Sequence, residues 1–327
     1  MSGAIHWKDL ERNSYWLANI LKDVPGFGEV FFAGSAAGNY SIKLKKYGVD
    51  GDHLLTTHAL AYAKVTSAQN DVVILAPEAH SLTEDPAWSK SQAHIIGQHH
   101  AGFAGQRVNF SMASDYGAVM ATLSGVGCKL QGLYMQHGYS TGHVCHDGLL
   151  VSGNYSLLDN IHINSPISTG LASATDYAGA LRISGTGFQT IRNSTFGNAS
   201  VDRSGACPLV TLGSGTCTLF ENCIFLSRIS ATTPYFFTVN NTSGLGFAIF
   251  RKCQFIAMST NMATKMAVAF NMTGGTTWAN VFDNDCQFNG VTHLGASGKG
   301  GYFWPGASVF AATADELSLI SLNTGDF

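Results

Sequence analysis

Residues 183–255 hold three near-copies of one pattern: ISGTGFQTIRNSTF (183–196), GSGTCTLFENCIF (213–225) and TSGLGFAIFRKCQF (242–255). Each reads as the end of an apolar strand, a glycine turn, a second strand, a polar corner and a third strand. The pattern continues backward into LSGVGCKLQGLYM (123–135) and VSGNYSLLDNIHI (151–163), and forward into MTGGTTWANVFDNDCQF (272–288). Its corner positions, Gly132, Asn160, Asn193, Asn222, Lys252 and Asp285, follow one another at intervals of 28, 33, 29, 30 and 33 residues. A period near 30 also suits paired helices, but these units are rich in Val, Ile, Phe, Thr and Gly and alternate apolar with polar residues, which is strand spacing. Apolar runs such as 180–183, 209–212 and 236–239 end at the glycine turns and bring each unit to about three short strands. Units that cannot bury their own apolar face must stack. Stacked at about 4.8 Å per rung they give an all-β parallel solenoid, a rod roughly 40 Å long.

Stacking places equivalent residues above one another. Cys223, Cys253 and Cys286 each follow a corner by one residue, and as small inward-facing thiols they are expected to pack the core rather than form a metal line. Asn160, Asn193 and Asn222 are expected to form a corner ladder of amides. Asp159 falls in register with Arg192, Glu221 and Arg251, an alternating row read as exposed ion pairs between rungs.

The 327 residues are 45% apolar and only 12% charged, with a net charge of −3, which argues against a disordered chain and against a surface that tracks phosphates. Neither nucleic acid nor a membrane is an expected partner, and no apolar run reaches the roughly 18 residues of a membrane span. The opening MSGAIHWKDLERNSYW carries Lys8, Asp9, Glu11 and Arg12 where an export peptide has its apolar centre, so synthesis in a host cytoplasm is expected. The seven cysteines are odd in number and irregular in spacing, which suits free thiols. The eight Asn-x-Ser/Thr triplets reflect turn vocabulary.

Four segments follow: an N-terminal arm (1–50), a capping helix (51–70), the β-helix (71–300) and a C-terminal cap or contact segment (301–327). The helix is expected from about Thr57, its capping hydroxyl, to Ala68, ahead of a buried strand at Val72–Leu75 and a further rung at 93–97. In the arm, Trp7, Tyr15, Trp16, Leu17, Ile20 and Leu21 supply an apolar set suited to docking or to packing on the solenoid. Phe303 and Trp304 play the same part at the C-terminus.

The threonine-initiated helix, DVVILAP (71–77), HIIG (94–97) and the Asn/Cys-x-x-Phe corners together resemble the pectin-lyase-like superfamily of right-handed, single-stranded parallel β-helices. More narrowly, GEVFFAGSAAGNYS (28–41) and NCIFLSR (222–228) are similar to β-helical virion proteins that decorate or cement the capsids of tailed bacteriophages. That resemblance implies a structural, non-enzymatic protein on the capsid surface, with the major capsid protein as its partner; the rod-like architecture points to a homotrimer, and a surface glycan is the partner expected on the glycan-binding alternative.

The superfamily also contains lyases and glycosidases, whose chemistry needs a base with bound cations, or two facing carboxylates. Between residues 101 and 300 the carboxylates are Asp115, Asp147, Asp159, Asp176, Asp202, Glu221, Asp283 and Asp285, thinly spread. The Arg-x-Pro-x-x-Arg, Asn-Thr-Asp and Gly-His-Gly patterns of pectate lyases and polygalacturonases are absent, so neither catalytic residues nor a cofactor are expected. The densest set of metal-ligand types is MQHGYSTGHVCHDG, with His137, His143, Cys145, His146 and Asp147. It lacks paired ligand spacing and reads as a solvated loop between rungs. The alternative reading is a tailspike-like polysaccharide depolymerase or lyase, or a glycan-binding module without catalysis.

Overall fold

The computed structural model describes residues 28–35, 41, 44–45, 49, 51–98, 108–114, 117–138, 146–167, 179–213, 215–240, 246–259, 264–273, 278–282, 285–295, 302–304 and 308–309. These form a right-handed parallel β-helix of three sheets with 11, 9 and 8 strands, here called A, B and C. One turn shows the path. Lys129–Gln131 lies in sheet A, Leu133–Gln136 in sheet B and Asp147–Val151 in sheet C, and Leu157–Asp159 returns to sheet A beside Lys129–Gln131. Among the described residues the strand pairings are parallel, each joining a strand to its equivalent in the next turn.

The corner between sheets A and B is one residue in the left-handed region. Gly132, Asn160, Asn193, Asn222 and Lys252 have φ of 70°, 54°, 53°, 53° and 51°. Glycine and asparagine recur there because a residue without Cβ, or with a short amide that bonds locally, tolerates that backbone. The amide ladder forms with a different first member than expected. Asn222 Nδ2 donates to Asn193 Oδ1, and Asn193 Nδ2 donates to Asp159 Oδ1, both at 2.9 Å.

Inside, alternate residues of sheet A stack into one column. Its lower part is aliphatic, with Leu130, Leu158 and Ile191, and its upper part aromatic, with Phe220, Phe250 and Phe282 at centroid distances of 5.1 and 5.0 Å. A second phenylalanine column, Phe196, Phe225, Phe255 and Phe288, rises from sheet B at 5.5, 4.9 and 4.3 Å. Cys223, Cys253 and Cys286 are fully buried between the columns, their thiols donating to the carbonyls of Ile191, Phe220 and Phe250. Burial pushes the Cys253 thiol up, out of reach of the thiolate.

Helix α1 (His58–Lys64) packs against the first strands of sheet A, and Leu60 N donates to the hydroxyl of Thr57, its N-cap. The helix stops short of Ala68 for a tertiary reason. Lys90 Nζ donates to the carbonyls of Tyr62, Ala63 and Val65 at 3.0, 2.9 and 2.5 Å, satisfying its C-terminal end.

Candidate functional site

Because side chains alternate across a strand, the neighbours of the inward Leu130, Leu158 and Ile191 face outward from sheet A. Two outward columns result. One runs through His94, Lys129, Leu157 and Thr190, the other through Gln131, Asp159, Arg192, Glu221 and Arg251. The row expected from the sequence is therefore present, but its environment changes along its length. His94, Lys129 and Asp159 are buried at 6%, 2% and 6% exposure although they lie on the outer face. Glu221 is half-buried and Arg251 exposed.

Asp159 is the best-anchored carboxylate of the row. Arg192 Nη2 donates to its Oδ2 and Asn193 Nδ2 to its Oδ1, each at 2.9 Å. These are charge-assisted bonds in a nearly dry place, stronger than exposed pairs. One rung below, the side-chain oxygen of Gln131 is buried and accepts no hydrogen bond among the described residues. A buried unmatched acceptor beside an anchored carboxylate calls for an explanation, and a ligand group is one. His94 completes the lower part: its Nδ1 accepts from Lys129 N at 3.2 Å, and burial, reinforced by the Lys129 charge, pushes the ring down to about 4, so it is neutral near pH 7. The expectation of alternating exposed ion pairs is thus corrected. Among the described residues only Asp159 and Arg192 pair within the row, and that pair is largely enclosed.

A second concavity lies at the N-terminal end, between α1 and the first strands of sheets B and C. Its volume is about 730 Å³, and its walls include Tyr62, Glu78, Ser81, Glu84, Asp85 and Trp88. His58 and His80 also line it. Burial, with the neighbouring His80, pushes His58 down to about 4, and burial lowers His80 as well. Burial raises the Asp85 carboxyl, partly countered by the Thr122 hydroxyl donating to it at 2.8 Å.

The remaining sequence candidates are dispersed. Trp7, Tyr15, Trp16, Leu17, Ile20 and Leu21 lie outside the described residues. Phe303 and Trp304 belong to a strand, Tyr302–Trp304, that extends sheet A beside Trp278–Phe282. His143 and Cys145 lie outside the described residues, whereas the two ends of their segment are not solvated. His137 is fully buried, with Nδ1 2.7 Å from Ser165 Oγ, and Asp147 is buried on sheet C, 3.5 Å from Arg182. Among the described residues no three His, Cys, Asp or Glu side chains converge as metal ligands. Sequence reasoning had singled out neither Gln131, Lys129 nor His94. Gln131 was within reach, since it precedes the Gly132 corner as Asp159 precedes Asn160.

No protein-family model and no curated protein matches the sequence. Solved structures do. The carrot pectin methylesterase matches at TM-score 0.54 and 12% identity, over 93% of this chain and 97% of that one. The Aspergillus niger pectin methylesterase matches at 0.53 and 13%, over 92% and 96%. A pectin methylesterase D178A mutant in complex with a hexasaccharide matches at 0.52 and 12%, over 88% and 91%. At such identities the likeness shows the fold alone, a right-handed parallel β-helix. It also overturns the capsid-cementing, non-enzymatic expectation: these matches over about nine-tenths of the chain are pectin methylesterases, not virion proteins. The physical reason lies in sheet A. A flank serving only as contact area has no need to bury Asp159 and Lys129 and to leave the Gln131 oxygen unmatched.

Proposed function

We propose that this protein is an enzyme acting on a polysaccharide that carries uronate or uronate-ester groups, with Asp159 as its base. The observation that carries this reading is the placement of the Asp159 carboxylate, on the outer face of sheet A between the Arg192 guanidinium above and the Gln131 amide below. Ester hydrolysis and β-elimination each need one base and hydrogen-bond donors at a carbonyl oxygen that gains negative charge. Asp159 supplies the base, accepting a proton from water or from sugar carbon. The Gln131 amide N–H and the Arg192 guanidinium are the groups placed to meet the oxygen. Cleavage of a glycosidic bond by two carboxylates is less well served: Glu221 stands two rungs from Asp159, about 9.5 Å, with Arg192 between them.

The outward row is linear, as an extended polymer is, and Arg192 and Arg251 match acidic sugar units along it. The pectin methylesterases that share the fold are named for a polysaccharide, which supports the same substrate class. The test is a panel of pectins of differing methylation and of other uronate polymers, assayed for released alcohol, released acid and unsaturated product. Turnover by the wild type and its loss in Asp159→Asn is the expected result. Silence across the panel, or an Asp159→Asn protein of undiminished rate, would overturn the proposal.

A further inference from the structure

The groove at the N-terminal end is bounded by two strand edges. Ala79–Leu82 is the terminal strand of sheet B and Ala87–Trp88 that of sheet C among the described residues. In a parallel ladder, alternate residues send both backbone groups to one neighbour, and the residues between send theirs to the other side. Asn109 N donates to Glu78 O at 3.0 Å and Ala113 N to Leu82 O at 2.8 Å, so Glu78, His80 and Leu82 bond the Val108–Met112 strand. The N–H and C=O of Ala79 and Ser81 therefore point the other way. In sheet C, Thr122 N donates to Pro86 O at 3.4 Å and Ser124 N to Trp88 O at 3.0 Å, which turns Ala87 outward too. Ala79, Ser81 and Ala87 are exposed and all three line the groove.

An open strand edge is a template for another strand, and proteins commonly blunt it with lysine, proline or a covering element. Here the edge is flanked by charge of one sign. Glu78, Glu84 and Asp85 line the groove, and among the described residues no lysine or arginine does. The histidines add no positive charge near pH 7, for the reason given above. An acidic polysaccharide is disfavoured in such a place, whereas a cationic chain with backbone donors and acceptors is matched. The volume, about 730 Å³, suits a short extended segment rather than a domain.

We infer that this groove is a strand-addition site for an extended, lysine- or arginine-bearing segment of a partner protein, which pairs with the free edge of Ala79–Leu82 and sets its basic side chains against Glu78, Glu84 and Asp85. The site is separate from sheet A and does not rest on the reading of Asp159.

The probe is a fluorescent, N-acetylated octapeptide alternating valine and lysine, titrated with the full-length protein and followed by anisotropy. Two further peptides are titrated beside it, one with glutamate in place of lysine and one with N-methyl groups on alternate amides. Saturable binding of the lysine peptide is expected, with a loss of about tenfold or more on N-methylation and no binding of the glutamate peptide. Glu84→Lys, at an exposed side chain, is expected to weaken binding several-fold, and Ser81→Pro to weaken it further by removing the N–H on the free edge. Equal affinity for the N-methylated peptide would mean attraction by charge alone and would overturn strand addition, as would absence of binding by the lysine peptide. Because the N-methyl comparison uses the unaltered protein, it decides the matter even if Ser81→Pro fails to fold.

Discussion

The lower and upper halves of sheet A are built on one register and differ on both faces. Below, the inward column is Leu130, Leu158 and Ile191, and the outward row is Gln131, Asp159 and Arg192, with Asp159 nearly dry. Above, the inward column is Phe220, Phe250 and Phe282, and the outward row is the half-buried Glu221 and the exposed Arg251. The upper half has the larger core column and leaves its charges nearer to solvent. The lower half has a smaller core column and encloses its charges. The proposed function puts the chemistry in the enclosed half, because a carboxylate in a low-dielectric setting interacts more strongly with substrate than one already solvated.

The largest effect expected from this contrast is kinetic. Asp159→Asn keeps the shape and removes the base, and a loss of about 10²–10⁴-fold in kcat is expected on the polysaccharide substrate. Glu221→Gln, two rungs along the same row, is expected to change kcat less than about threefold. Steady-state assay of both variants against the same polymer measures the difference, and a larger loss at Glu221 would invert the comparison.

Stability is expected to divide the other way. Phe250 touches the rings of Phe220, Phe282, Phe237 and Phe270 at 5.1, 5.0, 5.3 and 5.6 Å. Phe250→Ala is expected to cost about 3–5 kcal/mol through lost burial and a residual cavity. Its kcat, measured below its lowered melting temperature, is expected to stay near the wild-type value. Denaturant unfolding followed by tryptophan fluorescence reads the first number, and the substrate assay the second.

Burial of a carboxylate can also be unfavourable, and sheet C supplies the comparison. Asp147 is as enclosed as Asp159, but Arg182 stands 3.5 Å away rather than 2.9 Å. Burial raises the Asp147 carboxyl to about 6, only partly offset by Arg182. With the folded-state value above the unfolded one, this group's contribution to stability is fully present below about pH 4 and is lost as the pH rises through about 6. The Asp147→Asn variant is expected to flatten that part of the profile. Melting temperatures of both proteins from pH 4 to 7 give the test: parallel curves would show that Asp147 is not the titrating group.

How much of this was legible in the sequence depends on the range of the interaction. The corners were legible, since the demand for a left-handed residue recurs every turn and selects Gly or Asn. The vertical row was legible from the same period, and one further subtraction yields Gln131. Enclosure was not: Asp159 and Glu221 occupy the same register position, and nothing local distinguishes the dry one. The end of α1 was hidden for a similar reason, because the Lys90 side chain that satisfies its last carbonyls comes from 25 residues beyond Val65. The groove required knowing where sheets B and C stop, which is a property of the stack rather than of any segment.

The smallest expected effect isolates the anchoring of Asp159 from the architecture around it. Asn193 and Asn222 are corners of successive turns, each with φ of 53°. Glycine accepts that backbone without strain, so in both Asn193→Gly and Asn222→Gly the cost is limited to the lost amide bonds, about 1 kcal/mol. Their kinetic consequences differ. Among the described residues the Asn222 side chain reaches only Asn193, whereas Asn193 holds Asp159 Oδ1 while Arg192 holds Oδ2. Asn193→Gly leaves the carboxylate on one anchor, free to rotate out of line, and is expected to lower kcat about three- to tenfold with little change in KM. Asn222→Gly is expected to leave both constants within twofold of wild type, about 0.4 kcal/mol. Equal kinetics for the two variants would mean that the corner ladder serves the solenoid alone and that Arg192 by itself aims the base.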